Sequence, residues 1–425
     1  MQRLVVYPRM VPVIIVALAS IAVAQQPTPD ATSPLGQLGR VDAAGLVAFV
    51  TPDGRPALVD PASSERVRLD GAPQRAQFPA WSSDGRSVSV IAERAEGPGL
   101  DLYRLDGTGV VRAYADAASP PIYHGWSPDA RRIALLTSGA GTLALRLVEV
   151  GADAISAPRL VAEGAPFYWD WSPDGASMVL HRNVLGVDAE LVRVEVRDGR
   201  GLGDVASPGA FQSPAISPSG AWLAYASRDG GGTRRVVLER IDGEAGERRE
   251  LGHAGFAAVA WHPRRDVVAI QRALVDAPHS YGPLVTIDAA TGELERVVDD
   301  VSVAFWWSPD GGSIAYLTPV AGGAPGSERQ VLERVQATPR FSLRVIDVAT
   351  GLRRELALVT PSPLFTRQYL PFFDQYARSH RLWSPASDAL VLPVLIAGVS
   401  VVQVFGLDGS VRTLGSGDMP AWNVR

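Results

Sequence analysis

Six histidines and one aromatic-rich stretch are the residues here whose types could do chemistry. Three imidazoles converging on one point, each with a partner for its second nitrogen, could hold a divalent metal. His124, His181, His253, His279 and His380 fall on one face of the fold deduced below, and His262 falls on the other. Taken singly, each is as well explained as a surface or hydrogen-bonded histidine. The stretch Pro361–Leu382 reads PSPLFTRQYLPFFDQYARSHRL. Its Arg367, Tyr369, Phe372, Phe373, Asp374, Tyr376, Arg378 and His380 interleave rings with charges, the mixture that suits a binding surface. Tyr123, His124 and Tyr168 belong to the same face and complete the candidate binding set. The alternative is that the rings fold this loop down onto the scaffold, and the two readings are compatible.

Other chemistry is excluded by composition. The 425 residues contain no cysteine, so there is no thiolate nucleophile, disulfide or Cys-ligated metal. All 40 basic residues are arginine, which removes P-loop and Schiff-base chemistry. No G-x-S-x-G, H-E-x-x-H or calcium-loop pattern occurs. A net charge of −5 does not indicate a nucleic-acid surface. No motif asks for a cofactor, and no catalytic residue is assigned.

The elements that must position these residues come from a repeat. WSSDG begins at Trp81, WSPDA at Trp126, WSPDG at Trp171, ISPSG at Ile216, WHPRR at Trp261, WSPDG at Trp307 and WSPAS at Trp383. Successive steps are 45, 45, 45, 45, 46 and 76 residues. Pro420-Ala421-Trp422 copies the approach to an eighth turn and then stops. Each unit carries an apolar approach, the turn, a short apolar strand, a third strand, a second Asp-Gly or Thr-Gly turn and a fourth strand. Proline and aspartate suit the first corners of a tight turn, and glycine accepts the left-handed conformation that closes it. The SPDG aspartates are therefore turn formers and the tryptophans inter-sheet packing.

Four strands per unit at this period predict an all-β, eight-bladed β-propeller of antiparallel four-stranded blades, with seven blades as the fallback if 384–415 is irregular. The first unit lacks its Trp-bearing strand, and Met419–Val424 supplies it, so the N- and C-terminal strands are expected to pair and close the ring. This W-S-P-D-G grammar, running from Leu46 to Trp422, resembles the TolB-like propeller repeats. The resemblance implies the fold; it implies no activity. The 76-residue step holds two insertions, Thr318–Arg340 and Pro361–Ser379, in adjacent blades on the variable face. Long loops on a regular scaffold are where function concentrates.

Arg3 and Arg9 precede an apolar run ending Ala22-Val23-Ala24, which reads as a secretory signal peptide over residues 1–24. An uncleaved anchor is the lesser alternative. Residues 25–44 read as a Pro/Ser/Thr-rich linker and 45–425 as one domain. The expectation is an exported protein, periplasmic or extracellular, monomeric, without a transmembrane span after cleavage. It would bind a protein, peptide or carbohydrate without catalysis. The alternative is a metal-dependent polysaccharide lyase or hydrolase with a His-lined axial site.

Overall fold

The computed structural model describes residues 45–424 apart from 70, 140, 166, 184–189, 207–211, 229–231, 244–245, 255–256, 274–281 and 321–339, together with the strand Thr32–Pro34. The segment read as a signal peptide, His279 and nearly all of the insertion Thr318–Arg340 lie outside the described residues.

Eight sheets form the ring. Six run entirely in sequence order, with inner strands Arg75–Trp81, Pro121–Trp126, Phe167–Trp171, Ala215–Ile216, Ala257–Trp261 and Ala304–Trp307 for blades two to seven. Blade eight has strands Ala389–Ile396, Val399–Gly406 and Val411–Ser416, and its innermost strand is reduced to a bridge between Trp383 and Leu390. The 384–415 region thus forms a blade, and the count is eight. Blade one joins both ends of the chain. Asp418–Trp422 pairs antiparallel with Val47–Val50, matching Val47 with Trp422 and Ala48 with Ala421. Inside the stretch read as a linker, Thr32–Pro34 adds a short parallel strand beside Arg66–Arg68.

The turns do what their residue types dictate. In blade four, Ser172 Oγ donates to Asp174 Oδ1 at 2.5 Å, Gly175 N–H donates to Ser172 O at 2.8 Å, and Ala176 N–H donates to Asp174 at 2.9 Å. The Ser172 hydroxyl bond holds the Asp174 carboxyl below the usual carboxylate range. Gly175 has φ +68°, which a Cβ would strain. Ser127–Asp129 and Ser308–Asp310 repeat the hydroxyl bond at 2.6 Å. These aspartates are occupied in turns on the face opposite the insertions.

The buried rings lie between blades and around the axis. Trp169, Tyr225, Tyr316, Phe49, Phe305 and Phe341 are all less than 2% exposed or nearly so. At about 25 cal/mol per Å² of apolar surface, such large rings contribute strongly to holding neighbouring sheets together.

Candidate functional site

Residues Phe365–Tyr376 coil into three short helical turns, Phe365–Tyr369, Leu370–Phe372 and Phe373–Tyr376. Pro371 stands at the first turn position of the middle piece, where its missing N–H costs nothing. The coil enters the mouth of the ring and meets the inner strands of nearly every blade. Phe373 packs edge-on to Phe305, with ring centroids 5.4 Å apart, and lies 6.2 Å from Trp306. Tyr376 lies 4.9 Å from Tyr123, 5.5 Å from Tyr369 and 5.7 Å from Phe78. Tyr369 stacks on Phe365 at 4.5 Å and accepts a bond from Trp306 Nε1 at 3.2 Å. The insertion is a plug.

Polar side chains of the plug reach the free edges of the inner strands. Tyr123 donates its hydroxyl to Gln375 O at 3.0 Å and lies 2.8 Å from Ser379 Oγ. Gln375 Oε1 accepts the Trp169 N–H at 3.2 Å and the Ser213 hydroxyl at 3.3 Å. Arg378 donates to Trp169 O at 2.7 Å and Pro214 O at 2.6 Å, and pairs with Asp170 at 3.1 Å. Asp170 in turn accepts the Ile216 N–H at 2.8 Å.

The sequence-predicted residues are therefore brought together, but mostly inward. Tyr123, His124, Tyr168, Tyr369, Phe373, Asp374, Tyr376 and His380 are buried. Phe372 and Arg378 are half-buried and Arg367 is exposed. Of the histidines outside this set, His181 lies in blade four with Nδ1 2.9 Å from Gln212 O, and His253 ends the outer strand of blade five; neither joins the plug. His262 caps its own turn on the opposite face, accepting the Arg264 and Arg265 N–H groups at 3.0 Å each.

Burial governs the electrostatics. It lowers His124 to about 4 and His380 to about 3, the nearby His124 adding to the second shift. Both rings are neutral at pH 7. Each also has one buried nitrogen without a partner, Nδ1 of His124 and Nε2 of His380, while the other nitrogen meets Ser89 at 2.7 Å or Ser379 at 2.8 Å. Burial raises Asp374 to about 6 against the pull of Arg378, and raises Asp170 likewise. It pushes Tyr123 up to about 12 and lowers Arg381 to about 10. Among the described residues no three His, Asp or Glu side chains are grouped to hold a metal. Gln375, Ser379, Asp170, Ser213 and Trp169 were not singled out by sequence. The available signal was Asp170, a lone carboxylate in the otherwise aromatic string FYWDW.

No helix among the described residues is long and apolar enough to cross a membrane. No protein-family model and no curated protein matches the chain. Solved structures do. A dihydro-haem d1 dehydrogenase, NirN, superposes with a TM-score of 0.54 at 16% identity over 94% of this chain and 78% of that one. An oligogalacturonate lyase in complex with manganese gives 0.51 at 14%, over 86% and 98%. TolB from Acinetobacter baumannii gives 0.41 at 14%, over 95% and 89%, too loose a superposition to add anything. Such identities show a shared fold and no more: the chain is an eight-bladed β-propeller whose turns resemble the TolB-like repeat.

Proposed function

We propose that this is an exported, non-catalytic propeller that binds a protein, peptide or carbohydrate partner through its loop-rich face. One observation carries the reading: the axial mouth is filled by the chain's own rings. The cavity left beside Phe78, Tyr376 and His380 is about 20 Å³, room for roughly one water. Among the described residues the mouth offers no substrate-sized pocket, so recognition falls to the outer surface of the plug and the loops around it. That surface presents exposed Pro363 and Arg367, and half-buried Leu364, Leu370 and Phe372. An arginine beside apolar and aromatic side chains is the composition that anchors interfaces.

The test uses the purified full-length chain against a glycan array and against cross-linked cell-envelope extract. Phe372, half-buried against Tyr168, is left in place. The variant Arg367→Glu changes an exposed side chain and should keep the wild-type melting temperature. It is expected to lose capture of whatever the wild type retains. Undiminished capture would remove the plug surface from the binding site.

A metal-dependent lyase or hydrolase acting on a polysaccharide is the second reading, favoured by the two unpartnered imidazole nitrogens of His124 and His380. Elemental analysis separates the two: stoichiometric metal that disappears in both His124→Ala and His380→Ala supports the enzyme.

A further inference from the structure

The ring has eight joints between neighbouring blades, and four are latched in one way. The repeat tryptophan of a blade sends its Nε1–H to a carbonyl on the inner strand of the blade before it, one residue ahead of that blade's own repeat position. Trp81 donates to Ala421 at 2.9 Å, Trp261 to Ala215 at 2.9 Å, Trp307 to Ala260 at 3.1 Å and Trp383 to Trp306 at 3.0 Å. Between blades two and three the bond is relayed. Trp126 donates to Ser89 Oγ at 2.9 Å, and that hydroxyl lies 3.2 Å from Ala80 O. Between blades eight and one, Trp422 turns its indole to Gly45 O at 2.8 Å, but its amide donates to Arg381 O at 2.8 Å.

Two consecutive joints remain. Blade four has its tryptophan, yet Trp171 Nε1 is buried without a partner. Blade five carries Ile216 in that position and has no indole to offer.

The polar side chains of the plug fall on these same two joints. Gln375 spans blades three and four, taking the Tyr123 hydroxyl on its carbonyl and the Trp169 N–H on Oε1. Arg378 spans blades four and five, reaching Trp169 O, Asp170 and Pro214 O, while Asp170 holds the Ile216 amide. Inner strands have no further strand to pair with, so their axis-facing N–H and C=O groups need such partners. Elsewhere the plug contacts the ring chiefly through rings, with bonds from Trp306 to Tyr369, from Ser362 Oγ to Asp418 and from the Ser362 amide to Pro393 O. We infer that Gln375 and Arg378 form a clamp that closes the ring at the two joints the tryptophan latch leaves open. The inserted loop and the isoleucine at 216 are then two parts of one device, whatever the partner of the outer face.

Hydrogen exchange read by mass spectrometry tests this on the full chain. In Arg378→Met, peptides covering 167–171 and 213–217 should exchange at least about tenfold faster, while the inner strands Ala257–Trp261 and Ala304–Trp307 keep their protection. A uniform rise around the ring, or none at 213–217, overturns the clamp. Ile216→Trp supplies the missing indole, whose acceptor under the pattern of the other blades is Asp170 O. It should restore more than half of the lost protection in the Arg378→Met background and add little in the wild type. Equal gains in both backgrounds would show that loop and latch are uncoupled. Should Arg378→Met fail to fold, Arg378→Lys keeps the charge without the fork that spans two carbonyls, and the same peptides decide by the same criteria.

Discussion

Trp81 donates its indole N–H to the carbonyl of Ala421 at 2.9 Å, across 340 residues of sequence. The bond lies where the last strand of the chain meets the second blade, and it is buried on both sides. It ties the end of the polypeptide to the ring directly behind the strand pairing of Val47 with Trp422.

Replacing Trp81 by Phe keeps a ring in place and leaves the Ala421 carbonyl without its donor. The expected cost is about 1–3 kcal/mol, seen as a lower denaturant midpoint with an unchanged slope. Removing Asp418–Arg425 takes away the closing strand itself and exposes the inner edge of blade one. That truncation should abolish the cooperative transition, and a truncated chain that melts like the full one would refute closure by strand pairing.

Gly311 and Gly351 both have positive φ, +79° and +70°. A Cβ at Gly351 meets open space, whereas at Gly311 it would stand 2.0 Å from Nε2 of His262 in the neighbouring blade's turn. Gly351→Ala should therefore cost only the backbone strain, about 1–2 kcal/mol. Gly311→Ala should cost clearly more, and adding His262→Ser should bring it back to the Gly351→Ala level in thermal melts.

Acid should weaken the fold. A histidine kept neutral by burial costs nothing above its ordinary pKa of about 6.5 and destabilises increasingly as pH falls below it. His124, held near 4, and His380, held near 3, both act in this direction. Asp374, raised to about 6, acts oppositely: its contribution is full below the ordinary aspartate pKa and is lost as pH rises through 6. Between about pH 4 and 6 His181, also held near 4 by burial, joins His124 and His380, while Asp170 and Asp418, also raised by burial, join Asp374. The three large histidine shifts outweigh the carboxyls, so the melting temperature is expected to fall on acidification. Asp374→Asn should raise it at neutral pH, change it little near pH 4.5, and leave the acid loss steeper. A wild-type profile flat over this range would contradict the burial of the three imidazoles.

Tyr123→Phe keeps the ring packed against Trp169 and Tyr376 but removes the hydroxyl that meets Gln375 O and Ser379. The expected loss is about 1–2 kcal/mol. It should appear also as faster exchange in peptides across 373–380, and protection unchanged there would mean that the rings alone seat the plug.

Much of this architecture was legible in residue types. A tryptophan, a Ser-Pro-Asp-Gly turn and a short apolar strand at 45-residue steps define a hairpin by local sterics alone, and Asp174 and Gly175 adopt the roles such a turn requires. The strand read over Met419–Val424 pointed to the closure, because blade one was one strand short, and the structure places it at Asp418–Trp422. The rings and charges of Pro361–Leu382 also stood out by composition.

Their direction did not. Tyr376 and Phe373 are as suited to an interface as to a core, and composition cannot separate the two when a ring-shaped scaffold offers both an outer surface and an axial mouth. The partners that decide it are far away in sequence: Arg378 meets Asp170 and Trp169 more than 200 residues upstream. Those contacts exist only after eight blades close and line up the free edges of their inner strands. The sequence by itself determined the turns, the strands and the number of blades, since these follow from local backbone preference and pairing. Tertiary structure alone decided that the aromatic insertion points inward, because only the closed ring creates the unsatisfied carbonyls and the apolar mouth that hold it there.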